Sequence, residues 1–187
     1  IGQMMEKVVL PPFKPRRTEE EIARECPWAS NGHGIKERGP QVITSLELQP
    51  DIMEVRNQHL QAKYKEIQEK EVRYEADWMD DADFAIVAFG SAARISRKAI
   101  EMAREQGMKV GLIRPITLWP FPEQEIRRFA AHLKGILVVE INAGQMVYDV
   151  RLATQGLIPV TQYGRLGGIV PDPDEIIEAL NNLRQLV

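Results

Sequence analysis

Polar residues able to hold a ligand recur in this chain directly after short apolar runs. Gly90, Ser91 and Arg94 follow Phe84–Phe89, and Arg114 and Trp119 follow Val110–Ile113. Asn142 and Gln145 follow Ile136–Ile141, and Arg165 comes just after Pro159–Tyr163. At Phe89-Gly90-Ser91-Ala92-Ala93-Arg94 a strand turns straight into a helix through glycine and small residues, where backbone N–H groups can receive an anion. The stretch lacks the second and third glycines of a dinucleotide fingerprint, and small residues serve equally for close strand–helix packing. Arg114 and Trp119 are candidates for a binding crevice or an interface; Trp119 could equally cover an edge of the sheet. No residue is assigned a catalytic role or a metal.

Other chemistry-bearing residues carry less. Asp80, Asp81 and Asp83 precede the run at Phe84. Ligands of open α/β sheets sit beyond the carboxyl ends of strands, so acids at the amino end read as a surface loop rather than a phosphoacceptor or magnesium site. His33, His59 and His132 are far apart and lack ligand spacing. Cys26 is the single cysteine. It can form no internal disulfide and no cluster alone, and it points to a reducing compartment. The glycine-containing stretch 31–34 is followed by no helix-starting Lys-Ser or Lys-Thr and reads as a plain turn.

The elements that must position these residues follow from the apolar pattern. The runs 84–89, 110–113 and 136–141 have the length and Val/Ile/Leu content of fully buried strands, with no polar alternation. Helical stripes alternate with them. Ile95, Ala99, Met102 and Ala103 form one, stopped by Gly107. Ile126, Phe129, Ala130 and Leu133 form another, with Pro122 at the first helical position. This pattern predicts an α/β fold: a parallel sheet of right-handed βαβ units, covered on both faces. A helix with Met146, Val147, Val150 and Leu152, a strand over Pro159–Tyr163 and a glycine-rich loop at 164–168 come next. The last helix opens at Pro171-Asp172-Pro173-Asp174 and carries Ile176, Ile177, Leu180, Leu183 and Leu186.

The N-terminal part is of another kind. Pro11, Pro12 and Pro15 favour an extended arm, with Met4, Met5, Val8, Val9 and Leu10 apolar enough to dock. Thr18 suits the cap of a short helix through Arg24, and Trp28 is expected to pack. From Asp51 to about Tyr74 runs a long helix, a spacer or brace. Its imperfect stripe is Ile52, Val55, Leu60, Tyr64, Ile67 and Val72, opposite a solvated charged face. The expected division is residues 1–80 as arm, loop and linker helix, and residues 81–187 as the α/β domain. The sequence opens at Ile1 rather than methionine, so either its start is processed or it is a piece of a longer protein; the piece is the expectation, because the opening does not read as the beginning of a domain.

Composition bounds the function. The chain has 187 residues and 44% apolar content, enough for one sizeable core. Its net charge is −3, which favours neither nucleic acid nor an anionic membrane. No apolar run approaches the roughly 18 residues of a membrane span. The expected setting is the cytoplasm.

Taken together, FGSAAR, RPITLWPFP, EINAGQM and YGRLGGIVPDP resemble the C-terminal domain of the alpha subunit of 2-oxoacid:ferredoxin oxidoreductases, most closely the 2-ketoisovalerate type and next the 2-oxoglutarate type. The arm IGQMMEKVVLP and the helix with QAKYKEIQEKEVRYE resemble the segment that joins this domain to the one before it. The domain is similar to the C-terminal domain of transketolases. The resemblance implies a three-layer α/β/α fold with a mostly parallel five-stranded sheet and one antiparallel edge strand. It also implies a scaffold and assembly role in an enzyme that oxidatively decarboxylates a 2-oxoacid, makes acyl-CoA and reduces ferredoxin. Thiamine diphosphate, magnesium and iron–sulfur clusters are implied for the full complex and none for this chain. The implied partners are beta and gamma subunits, a ferredoxin-like delta subunit, ferredoxin and CoA, in a homo-oligomeric assembly. Two alternatives stand beside this: a standalone small-molecule or anion-binding module using the crevice at Gly90, Ser91, Arg114 and Asn142–Gln145, and an interaction domain with no ligand.

Overall fold

The computed structural model describes residues 11–13, 17–30 and 42–187. The chain forms two compact units that divide between Gln61 and Ala62. In the N-terminal unit, Thr18 caps α1 (Glu19–Glu25). Its hydroxyl accepts from the Glu21 amide at 3.2 Å, while the Glu21 carboxylate accepts from the Thr18 amide at 2.8 Å. The pair satisfies donors that a helix start leaves orphaned. Trp28 does not pack as expected; it is 61% exposed. The arm residues Met4, Met5, Val8, Val9, Leu10 and Pro15, the stretch 31–34 and His33 all lie outside the described residues.

α2 (Pro50–Lys70) buries none of its residues, which suits its charged face. It is shorter than expected. The chain leaves the helix after Lys70, and Tyr74–Asp77 forms a strand, β1, on the N-terminal side of the boundary drawn at residue 80. The cause is tertiary: β3 (Val110–Pro115) offers an edge, and β1 pairs with it antiparallel, Tyr74 opposite Pro115 and Glu75 opposite Arg114. This is the antiparallel edge strand of a five-stranded sheet with order β1-β3-β2-β4-β5. β2 (Phe84–Val87), β3, β4 (Gly135–Glu140) and β5 (Val160–Gly164) are mutually parallel.

Residue parity sorts the strands' apolar side chains to the two faces. Phe84 and Ile86 of β2, Val110 and Leu112 of β3, and Leu137 and Val139 of β4 share one core cluster. It is closed by α3 (Gly90–Glu105) and α6 (Pro173–Arg184). Ala85, Val87, Ile113, Ile136 and Val138 share the other, closed by α4 (Glu123–Ala130) and α5 (Met146–Thr154). Both faces of the central strands are buried, which is why their sequence shows no polar alternation. Two stripe positions differ from expectation. Leu152 is 65% exposed, because the inward face of α5 is Met146, Val147, Val150, Ala153 and Thr154. Leu186 lies past the end of α6 and is exposed.

Candidate functional site

β2 sends the chain through α3 to β3 on one side, and β4 sends it through α5 to β5 on the other. The carboxyl ends of β2 and β4 therefore meet at a topological switch point, where ligands of open α/β sheets bind. In this protein a side chain already occupies that point. Glu140, the last residue of β4, is 1% exposed. Its carboxylate accepts from the backbone amides of Gln145 at 3.1 Å, Met146 at 2.9 Å and Val147 at 3.2 Å. It also accepts from the Asn142 side-chain amide at 3.1 Å. These backbone donors are the ones an anion would take at the start of α5.

The turn between strand and helix is shaped around this carboxylate. Asn142 Oδ1 accepts from the Gly144 amide at 2.7 Å, and Gly144 has φ +107°, a backbone that favours glycine. At the end of β5, a Cβ on Gly164 would run into the Asn142 carbonyl oxygen and the Gln162 side chain. Only glycine lets the two chains approach this closely. Arg165 then donates its amide to the Glu140 carbonyl at 3.3 Å.

What remains of the crevice is a cavity of about 120 Å3, lined by Phe89, Leu118, Phe121, Glu140, Met146 and neighbouring polar residues. Sites for small molecules and cofactors usually offer about 300–1,000 Å3. A diphosphate fits neither the volume nor the carboxylate already seated there. Among the described residues, no cluster of His, Cys, Asp and Glu could hold a metal ion.

The structure scatters the other candidate residues. Arg114 lies within β3 and meets Glu75 of β1 at 2.7 Å, not the switch-point crevice. Glu75 also meets Arg97 of α3 at 3.3 Å, and Arg97 meets Asp77 at 2.6 Å, so this network ties the edge strand to the sheet and helix. Trp119 stands edge-on to Tyr64, with ring centroids 5.6 Å apart and planes at 85°. Gly90 opens α3 with φ +55°, and open space surrounds the position of its missing Cβ. Its glycine therefore serves backbone conformation; the close packing falls to the buried Ala92 and Ala93. Phe89 gives this helix no side-chain cap, Ser91 is half-buried and Arg94 is exposed.

Arg165 is engaged at the start of α6. Its guanidinium meets Glu175 at 2.6 Å, and the Tyr163 hydroxyl donates to the same carboxylate. Glu175 also completes a capping box with Asp172. The Tyr163 hydrogen bond, with help from the Asp172 amide and Arg165, holds the Glu175 carboxyl below its usual range. Burial first, then the Glu175 carboxylate, pushes the Tyr163 phenol above its ordinary value. The acidic residues before β2 are surface ion-pair partners: Asp81 meets Arg104 at 2.7 Å and Asp83 meets Lys134 at 3.0 Å.

Asn142 and Gln145 are thus brought together, but by Glu140, which sequence reasoning passed over. A signal was present: an acid closing an apolar strand, followed by Asn and Gly just before a helix.

Comparison with known proteins agrees with this architecture. Residues 82–176 match the family described as pyruvate:ferredoxin oxidoreductase core domain II. The ketoisovalerate oxidoreductase subunit VorB of Methanothermobacter thermautotrophicus is 38% identical over 186 residues, covering 98% of this chain and 50% of that subunit. The 2-oxoglutarate synthase subunit KorA of Methanothermobacter marburgensis is 38% identical over 116 residues, covering 62% of this chain and 31% of that subunit. Among solved structures, the 2-oxoglutarate:ferredoxin oxidoreductase of Magnetococcus marinus matches with a TM-score of 0.64 and 25% identity, over 73% of this chain and 24% of that one. A split-gene transketolase matches in fold, with a TM-score of 0.53 over 61% of this chain and 42% of its own. The chain spans about half the length of the VorB subunit it matches, so the shared sequence covers one part of such a subunit. The chain belongs to the core domain II family of pyruvate:ferredoxin oxidoreductases and is homologous to subunits of 2-oxoacid:ferredoxin oxidoreductases.

Proposed function

We propose that this chain is the scaffold and assembly portion of a 2-oxoacid:ferredoxin oxidoreductase alpha subunit, of the branched-chain 2-ketoisovalerate type. The complex would decarboxylate a 2-oxoacid oxidatively, form acyl-CoA and reduce ferredoxin. The observation that carries the reading is Glu140: the switch point that would hold a ligand is filled by the domain's own buried carboxylate. Arg114 and Arg165 are likewise engaged inside the domain. Neither a diphosphate nor an iron–sulfur cluster fits the residues present, since the crevice is small and Cys26 is the single cysteine. Those cofactors belong, in this reading, to other parts of the assembly. The partners would be the beta and gamma subunits and a ferredoxin-like delta subunit, in a homo-oligomeric complex, and a cytoplasmic setting suits the lone thiol.

Three measurements test it. Co-expression with the remainder of the alpha subunit and the other subunits, followed by gel filtration, is expected to return this chain in a stable complex. Assay of that complex is expected to show viologen reduction dependent on 2-ketoisovalerate and CoA. Calorimetric titration of the chain alone with thiamine diphosphate and magnesium is expected to show no heat of binding; tight binding there would overturn the assignment.

A further inference from the structure

Beside the filled crevice lies a larger groove of about 590 Å3, walled by Lys65, Gln68 and Glu69 of α2 and by the loop from Leu118 to Phe121. Val72, Leu118, Trp119 and Phe121 give it an apolar surface, and Trp119 keeps 55% of its area exposed on top of Tyr64. Four carboxylates border it, from Glu69, Glu123, Glu125 and Asp149, against the single ammonium of Lys65. Among the described residues, none of these carboxylates takes part in an ion pair. Helix energetics explain Glu123, Glu125 and Asp149, which lie in the first turns of α4 and α5. They do not explain Glu69, which sits at the negative end of α2, where an acid is disfavoured.

We infer that this groove receives a basic, apolar-anchored polypeptide segment from a partner chain. An exposed tryptophan face bordered by unpaired carboxylates suits an arginine or lysine lying over the ring with its charge between the acids. The same charge repels phosphates, CoA and 2-oxoacids, so the groove is not a second site for the anionic reactants. The inference deepens the assembly reading and rests on it.

The test uses the full chain and two fluorescein-labelled peptides, one of alternating arginine and leucine, the other of alternating glutamate and leucine, read by anisotropy at low and high salt. The basic peptide is expected to bind at least about tenfold more tightly than the acidic one, with affinity falling as salt rises. Glu69→Gln/Glu123→Gln/Glu125→Gln is expected to weaken it about tenfold, and Trp119→Ala about threefold, with unchanged circular dichroism. Glu54→Gln/Glu105→Gln/Glu178→Gln, which removes the same charge elsewhere, is expected to change it less than about twofold. Equal binding of the two peptides, or equal weakening by the two triple variants, overturns the inference. So does a dimer in sedimentation velocity that Trp119→Ala abolishes, which would give the face to a second copy of this chain. If the basic peptide fails to bind while the co-expressed complex still forms, the groove is wrong and the assembly reading stands; if no complex forms with the native chain, the assembly reading itself fails.

Discussion

Removing the Glu140 carboxylate should be among the most damaging single changes in the α/β unit. In Glu140→Ala the amides of Gln145, Met146 and Val147 and the side chain of Asn142 all lose their acceptor. Gln145 is exposed and its amide can turn to water, but Met146 and Val147 are buried. Each buried donor left unpaired costs about 1–3 kcal/mol, and hydrogen bonds to a charged acceptor are worth about 1.5–3 kcal/mol. Against this, the variant no longer buries a charge, which returns part of the loss. A net destabilisation of about 3–5 kcal/mol follows, matching the usual cost of breaking a buried charged contact. For a chain of this size that is a fall in Tm of about 6–20 °C. Thermal and urea denaturation followed by far-ultraviolet circular dichroism would measure it. Glu140→Gln keeps one acceptor oxygen but turns an amide toward donors, so it should fall between the native protein and Glu140→Ala. Acetate at high concentration should raise the Tm of Glu140→Ala, by refilling the helix start, and leave the native protein unchanged. A loss below about 1 kcal/mol in Glu140→Ala would refute the argument, because the α5 amides would then have water or another acceptor available.

Three other outcomes follow from the geometry. Glu175 has its pKa held below the usual 4.5, so its stabilisation is present above the unfolded value and lost as pH falls through the folded one. The stability gap between the native protein and Glu175→Gln should therefore begin to narrow as pH falls below about 4.5 in acid titrations and stay constant from pH 5 to 8; a gap that widens or holds level as pH falls through the acid range contradicts it. Arg114→Ala breaks a partly exposed pair with Glu75 and should cost less than about 1 kcal/mol in the isolated chain. In the co-expressed complex it should lower assembly yield more than turnover, and an intact complex with collapsed turnover would count against the scaffold reading. Gly164→Ala drives a Cβ into the Asn142 carbonyl, a backbone atom that cannot rotate away, and should cost about 1–3 kcal/mol in urea denaturation.

The parallel strands were legible because burial on both faces leaves a continuous apolar run, a signal that needs no partner to interpret. The helix starts at Thr18 and Asp172 were legible for a similar reason: a cap is a local bargain between residues at most a few positions apart. β1 was not. Tyr74-Glu75-Ala76-Asp77 carries two charges in four residues and continues the charged pattern of α2. Its strand state comes from the open edge of β3, some forty positions away, and from Arg97 and Arg114 meeting its acids. Propensity is a weak prior beside such pairing. Leu152 was misplaced for a smaller reason: it falls between the turns of a stripe that runs through Val150, Ala153 and Thr154.

The candidate site divides along the same line. Topology brings every loop after a parallel strand to one end of the sheet, so any polar residue there resembles a ligand donor. Whether it faces a ligand or another part of the chain depends on contacts that sequence spacing does not encode, as with Arg165 on Glu175 and Arg114 on Glu75. Glu140 is the exception that could have been found. A carboxylate ending a buried strand is costly unless donors meet it, and the nearest available donors are the amides of the helix that follows. Asn142 and Gly144, one accepting within the turn and the other supplying its left-handed backbone, mark a turn tight enough to swing those amides back onto the acid. Glu140 through Val147 is thus a self-capping unit: hydrogen bonds within the chain hold the sheet end, and beside it lies the acidic, tryptophan-bearing groove.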